Sequence, residues 1–185
     1  MGPLVITLMV IGMAIAGSAL AVVLWSIANT DRRIWPPQTF GPVKLAVGWG
    51  GTFVFFAAVI ALGMLSWGSV QLPIWLRYGL GPILILAGNA GVWVAVIGLG
   101  ANQTMGAQGR LKTSGLYRFS RNPQYVADIA ILIGWTLLSA SIVAIPVITL
   151  GIAVFTAFPF AEESWLEERY GTAYLRYKAA ARRFL

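Results

Sequence analysis

The length of the apolar runs constrains this chain more than any other feature. A lipid bilayer takes about 20 consecutive, mostly apolar residues to cross. Four stretches reach that length: Leu4 to Ala28, Leu45 to Leu65, Ile74 to Leu99 and Val126 to Phe158. Hydrocarbon offers no water to a backbone N–H or C=O, so such runs cross as helices that close their hydrogen bonds internally. The expected fold class is all-α, a polytopic membrane helical bundle. Only 10% of the residues are charged and the mean hydropathy is +0.79. The polar pieces between the runs are too short to bury a core of their own. Residues 1–185 are therefore expected to form one integral membrane domain.

The last run, the 33 residues from Val126 to Phe158, is too long for one straight span. Ser139-Ala140-Ser141 interrupts it, and Pro146 follows. A tight helical hairpin is expected, turning at those serines. Its first arm starts at Pro123, because proline's missing N–H costs nothing in the first helical turn. This gives five transmembrane helices: residues 4–28, 45–65, 74–99 and a pair within 123–158. A C-terminal helical tail over 160–185 follows.

Charge placement sets the expected orientation. With five spans and the N-terminus outside, residues 29–44, 100–121 and 161–185 lie inside. Those three segments hold 12 of the 13 Lys and Arg residues, with Arg77 the exception, as the positive-inside rule requires. The N-terminal run lacks a basic leader and reads as a retained span, not a cleaved signal. The small size and lack of targeting signals point to a bacterial inner membrane, with membrane lipids as surroundings. Cations gathered in alternate loops do not make a nucleic-acid surface. The chain has no Cys and no His, which removes thiolate chemistry, imidazole bases and the commonest metal ligands, so no metal site is expected.

Residues 111–128, LKTSGLYRFSRNPQYVAD, are the longest polar interruption. Arg110, Lys112, Arg118 and Arg121 stand at or near its start, with no acid before Asp128. A cationic loop feeding a helix N-terminus suits an anionic or polar ligand, and it also suits a plain orientation signal. Asp128 is the sole acid within the apolar runs. It reads either as a functional intramembrane acid or as helix N-terminal charge paired with Arg121. Glu162 and Glu163 follow the last run and read either as acceptors for a ribose or cationic group or as ordinary helix charge. Arg121 suits a carboxylate, and Tyr125 an aromatic wall. Asn89, mid-run, is expected to hydrogen-bond another helix. In the tail, Gly171 is expected to end one helix and Thr172 to cap the next. Trp165, Leu166, Tyr170, Tyr174 and Tyr177 form an aromatic face expected to lie on the membrane surface.

Taken together, Ser114 to Tyr125 (SGLYRFSRNPQY), a hairpin-sized apolar stretch, Glu162-Glu163-x-x-Leu166, Tyr170-Gly171-x-x-Tyr174-x-x-Tyr177 and a final Arg182-Arg183-Phe184 make a longer pattern. It resembles the isoprenylcysteine carboxyl methyltransferase and phospholipid methyltransferase superfamily over residues 99–185. The resemblance implies a membrane enzyme that methylates a lipophilic small molecule with S-adenosylmethionine, in a pocket formed by loop 100–122, the hairpin and the C-terminal helices. By position, Leu116, Tyr117, Arg121, Asn122, Pro123 and Tyr125 would border the cofactor. Glu162 and Glu163 would contact it from the other side. Tyr174 and Tyr177 would close the pocket, and Arg182 and Arg183 would support the loop or the cofactor carboxylate. Asn122, Tyr125 and Asp128 are the candidates for a catalytic role. Asn122 stands where the family pattern has His, and it cannot titrate near neutral pH. The Arg that carboxyl methyltransferases often place before the Glu pair is missing from Phe158-Pro159-Phe160-Ala161. The methyl acceptor is thus left as a carboxylate, an amine or a thiol. Two other readings stand beside this one. Tyr125-Val126-Ala127-Asp128 is similar to a sterol-reductase pattern, which would imply NADPH. A non-catalytic membrane protein retaining the fold is the other.

Overall fold

A computed structural model of the chain describes residues 1–37, 41–104 and 109–185. Helices dominate it: α1 (Pro3–Ala28), α2 (Pro42–Leu65), α3 (Gly81–Leu99), the short α4 (Ala101–Thr104), α5 (Pro123–Ser139), α6 (Ile145–Tyr170) and α7 (Thr172–Ala180). A π-helical turn, Trp75–Leu80, leads directly into α3. Among the described residues there is no strand, only one isolated parallel bridge between Ser120 and Arg182. The all-α expectation holds. Four helices are long and apolar enough to cross a membrane: Pro3–Ala28, Pro42–Leu65, Trp75–Leu99 and Ile145–Tyr170.

Proline starts five of these helices, standing in the first turn of α1, α2, α3, α5 and α6. There the ring pre-sets φ, and no intrahelical bond is lost. Between α5 and α6 the chain reverses. Ala140 takes a left-handed conformation (φ 47°) as the α5 C-cap, and its N–H bonds back to Thr136.

Helix α6 is the axis of the bundle, with α1 and α5 packed against it. Helix α2 rests on α1 and α5, and α3 rests on α5. The core joins Phe55, Val59 and Leu62 of α2, Leu132 of α5 and Val147, Ile148, Val154 and Phe155 of α6. At the α5–α6 turn the loop after α2 is stitched on. Gly68 and Val70 N–H groups donate to the Ser139 and Ala140 carbonyls at 2.8 Å each, and the Ser66 and Ser141 hydroxyls share a hydrogen bond. Arg77 is held there too, its Nε donating to the Leu138 carbonyl at 3.0 Å and its guanidinium lying over the Trp67 ring. The cation outside the basic loops is thereby anchored at the end of the bundle away from those loops.

Three expectations are corrected. Helix α6 does not stop near Phe158. It runs unbroken to Tyr170 with Pro159 inside it, so Glu162 and Glu163 sit within the helix and only α7 is separate in the tail. Gly171 (φ 53°), not Thr172, is the α7 N-cap, and no side-chain bond caps it. Asn89 is exposed and bonds its own helix, Nδ2 donating to the Ile85 carbonyl at 2.8 Å.

The closest helix approach is α3 on α5. A Cβ on Gly88 would lie 2.7 Å from the Ala127 carbonyl oxygen and 2.6 Å from Ile131 Cγ1. A backbone carbonyl cannot turn aside as a side chain can. Gly88→Ala should therefore lose roughly 1–3 kcal/mol to overpacking. Gly98→Ala meets nothing within 4 Å and should be neutral or stabilising. Thermal unfolding in detergent measures both, and an equal shift for the two variants would contradict this account of the contact.

Candidate active site

At the end of the bundle opposite the α5–α6 turn, the N-terminus of α5, the last turns of α6, α7 and the loop after α1 converge. Tyr125, in the first turn of α5, donates its hydroxyl to Glu162 Oε1 at 2.6 Å. The Trp35 indole N–H donates to the same oxygen at 2.9 Å. Stacked on Tyr125 is Phe158 (centroids 5.4 Å, 11° between planes); Phe155 lies 6.1 Å from Tyr125, and Trp35 lies 5.2 Å from Phe158. The Glu162 carboxylate is thus framed by aromatic rings. Buried Ser26 positions Trp35. Its hydroxyl accepts from the Ile34 and Trp35 N–H groups at 3.1 and 2.9 Å and donates to the Val22 carbonyl at 2.8 Å. A bidentate pair from Arg33 to Glu168, at 2.7 and 2.6 Å, ties the same loop to α6.

One helical position on, Glu163 serves a different network. It is buried and receives Arg183 Nε at 2.7 Å, Arg121 Nη2 at 3.0 Å and Lys178 Nζ at 3.2 Å. Lys178 also pairs with Glu167 at 2.6 Å. Hydrogen bonds to Glu167, and to Glu163 in lesser part, raise the Lys178 pKa, and the bond to Glu163 raises that of Arg183, so both cations keep their protons. The tail is fastened further by its backbone. The Arg121 N–H donates to the Arg182 carbonyl at 2.8 Å, and Asn122 Nδ2 donates to the Arg183 carbonyl at 3.0 Å. Tyr177 donates its hydroxyl to the Tyr117 carbonyl at 2.6 Å. Burial pushes the Tyr117 hydroxyl up to about 12, helped by the Glu162 charge, and burial also raises Tyr177, so both remain neutral donors.

Arg121 is the unfinished member. Its side chain is 7% exposed, and among the described residues Nη2 pairs with Glu163 while Nε and Nη1 are buried with no hydrogen-bond partner. Buried donors without acceptors are costly, and a ligand carboxylate or phosphate would complete them. Glu162 offers the opposite chemistry, an acceptor in an aromatic frame, to hydroxyl or cationic groups. Together they suit a ligand carrying both an anionic group and donor groups.

The structure brings together Tyr117, Arg121, Asn122, Pro123, Tyr125, Glu162, Glu163, Tyr174 and Tyr177. Leu116 lies beside them in the 3-10 turn Gly115–Arg118. Arg182 contributes its backbone to the assembly, while its side chain is exposed. Asp128, half-buried, does not pair with Arg121, whose guanidinium turns to Glu163 instead. Nor does the tail's aromatic face lie on the membrane surface. Tyr174 and Tyr177 are buried against Tyr117, Leu99 and Leu111. Trp35, Arg33 and Ser26 escaped the sequence reading. The signal was an Ile34-Trp35-Pro36-Pro37 segment between basic residues, which looked like a connector.

The family model for phospholipid methyltransferase matches residues 76–173, just over half of the chain. The chain belongs to the phospholipid methyltransferase family. The match takes in α3, the loop, α5 and α6 with both glutamates, reaching further toward the N-terminus than the resemblance over 99–185 and stopping short of Tyr174. No curated protein matches the chain, and no solved structure does. The family is one of methyltransferases, which favours that expectation over the reductase, and its members sit in membranes as the four long apolar helices suggest for this chain.

If Glu163 fastens the tail, Glu163→Gln leaves three cations around an uncharged amide. Hydrogen exchange at the Arg121 and Ala181 amides should then quicken at least tenfold, about 1.4 kcal/mol of local stability. Arg182→Gln should leave both amides as protected as in the parent. Unaltered exchange in Glu163→Gln would show that the backbone bonds alone hold the tail.

Proposed function

We propose that the chain is an S-adenosylmethionine-dependent methyltransferase that crosses the membrane five times and acts on a lipophilic acceptor dissolved in the bilayer. The carrying observation is the Arg121 guanidinium, buried with two unpartnered nitrogens inside the segment that matches a methyltransferase family. The residues fit the cofactor: Arg121 Nε and Nη1 would hold its carboxylate, and Glu162 would accept from its hydroxyl or ammonium donors. When bound, S-adenosylmethionine supplies an electrophilic methyl group on a positively charged sulfur. Tyr125 and Trp35 hold the Glu162 carboxylate in one orientation, and Phe155 and Phe158 keep water from it. Transfer from a sulfonium to a nucleophilic acceptor draws mainly on desolvation and in-line positioning. A site without His or Cys is suited to that.

The five-span reading adds α5 to the four long helices. Its 17 residues extend about 26 Å, slightly less than the hydrocarbon core, and it lies packed between α3 and α6. The positive-inside rule then puts the N-terminus outside and the site on the cytoplasmic face, in a bacterial inner membrane.

Calorimetry in detergent tests the cofactor. S-adenosylhomocysteine should bind, and NADPH should not. Arg121→Met and Glu162→Gln should each weaken S-adenosylhomocysteine at least tenfold, about 1.4 kcal/mol, while exposed Arg176→Gln should not. A parent protein that binds no S-adenosylhomocysteine would overturn the reading. Because the chain has no Cys, single-cysteine labelling tests the spans directly. Ile142→Cys, exposed in the α5–α6 turn, should react with an impermeant thiol reagent from outside, and Ser114→Cys only from inside. Reaction of both from one side would rule out five spans.

A further inference from the structure

Arg77 stands at the end of the bundle opposite the candidate site. Its Nε holds the Leu138 carbonyl at the α5–α6 turn. Ile145, at that turn, and Glu162, in the site, are about 26 Å apart along α6.

No carboxylate answers the Arg77 charge. The sequence has no Asp or Glu from Arg32 to Ala127, and none from Ile129 to Ala161. Asp128 stands about 15 Å from Leu138 along α5. Among the described residues no ion pair reaches Arg77.

The guanidinium is nevertheless closely held. Its carbon lies 5.1 Å from the centroid of the Trp67 ring and 5.1 Å from that of Tyr78. Gly68 makes room for it. This glycine has a φ of 72°, and a Cβ there would lie 2.8 Å from Nη1 and 3.1 Å from Nη2. Ring faces attract a cation but do not neutralise it. Capping the Leu138 carbonyl uses Nε alone, and Nη2 is buried with no hydrogen-bond partner. A buried donor left so is costly. Two further donors border the guanidinium. Among the described residues no hydrogen bond uses the Trp67 indole N–H or the Tyr78 hydroxyl. Both residues are exposed, so either ring can swing to admit an acceptor.

The surroundings place this cradle at lipid head groups. Trp67, Trp75 and Tyr78 are exposed together beside the start of a membrane-length helix, as interfacial aromatics are. Arg77 lies in the π-helical turn Trp75–Leu80, a rare geometry that is frequent at functional positions. Exposed Ile83 and Leu86, further along α3, offer apolar surface for acyl chains.

We propose that the Arg77 cradle binds the phosphate of a phospholipid in the leaflet at the α5–α6 turn. The phosphate brings the negative charge that the chain lacks at this end. Its oxygens accept from Nη2 and from the Tyr78 hydroxyl. The lipid is a structural one, which locks the loop after α2 and the start of α3 onto the turn. Its distance from Glu162 separates it from any substrate, and the proposal does not rest on the methyltransferase reading.

Native mass spectrometry and thermal unfolding of the delipidated protein in detergent test the cradle. The probes are dioleoylphosphatidylglycerol, dioleoylglycerol, which has the same chains without the phosphate, and inorganic phosphate. The phosphatidylglycerol should be retained and should raise the unfolding temperature, and the other two should do neither. Arg77→Gln should weaken its binding roughly tenfold, and Tyr78→Phe roughly threefold. The second variant keeps its ring at an exposed position and serves should Arg77→Gln not fold. Arg32→Gln, exposed at the other end of the bundle, should match the parent. Equal retention of dioleoylglycerol, or affinity indifferent to both cradle substitutions, overturns the phosphate site. Equal protection by inorganic phosphate overturns the lipid in favour of a soluble anion. A loss in Arg32→Gln as large as in Arg77→Gln overturns the cradle in favour of diffuse charge attraction.

Discussion

The ionic cluster at Glu163 is the contact on which the rest of the site depends. One buried carboxylate collects a cation from the loop before α5, one from α7 and one from the C-terminal tail. Removing a carboxylate from water is expensive, and a single partner seldom offsets it. Three charge-assisted bonds in good geometry do so, and they make the pairing specific to these three segments. Around them the tail is held by the buried rings of Tyr174 and Tyr177, the Tyr177 bond to the Tyr117 carbonyl, the Lys178–Glu167 pair, and the bonds of the Arg182 and Arg183 carbonyls to the Arg121 N–H and the Asn122 side chain. The cluster also decides what Arg121 can do. With Nη2 committed to Glu163, the guanidinium is fixed in place while two of its donors stay unused. Such an arrangement is preorganised for a ligand that brings its own acceptors.

Adjacent glutamates on α6 have divided the work. Glu163 turns to the tail and is saturated by cations. Glu162, 100° around the helix, turns to the aromatic frame and receives the Tyr125 and Trp35 donors. The N-terminal half of the chain enters here. Ser26 at the end of α1 fixes the backbone of Ile34 and Trp35, and the indole carries that order to Glu162. The family match ends before Tyr174 and begins after Trp35, so both clamps on the matched segment come from outside it.

Much of the fold was legible because hydropathy and proline placement are properties of the chain itself. The apolar runs became helices, Pro123 opened α5, and the Ser139 to Ser141 stretch fell at the break between α5 and α6. Pairings between distant segments were less legible. One of the two readings of Asp128 paired it with Arg121, its near neighbour in sequence, but Pro123 starts a helix between them and the Arg121 guanidinium turns to Glu163. The last apolar run ends at Phe158 in the sequence, yet the helix continues through Pro159. That proline lies in a helix whose neighbouring turns are buried against α1 and α5, and that packing outweighs one lost backbone bond. Asn122 looked like a degraded catalytic histidine, yet its amide fastens the Arg183 carbonyl, a task that needs a donor and no titration. Trp35 was invisible because nothing in a loop's composition says which distant carboxylate an indole will reach.

The length of α6 explains how one helix serves both the core and the site. Its 26 residues extend about 39 Å, and some 20 of them suffice for the hydrocarbon. Counted from Ile145 at the reversal, that quota runs out close to Glu162 and Glu163. The apolar part of α6 therefore packs on α1 and α5, and its last two turns stand where water begins. There Glu163 is neutralised by the cations of the tail and the preceding loop, while Glu162 remains beside the Tyr125 and Phe158 rings. A polar ligand arriving from water and an apolar one arriving from lipid would meet at that height and nowhere deeper. Extending α6 past Phe158 does more than relocate two glutamates. It places the candidate site one membrane thickness along the helix from its start at Ile145.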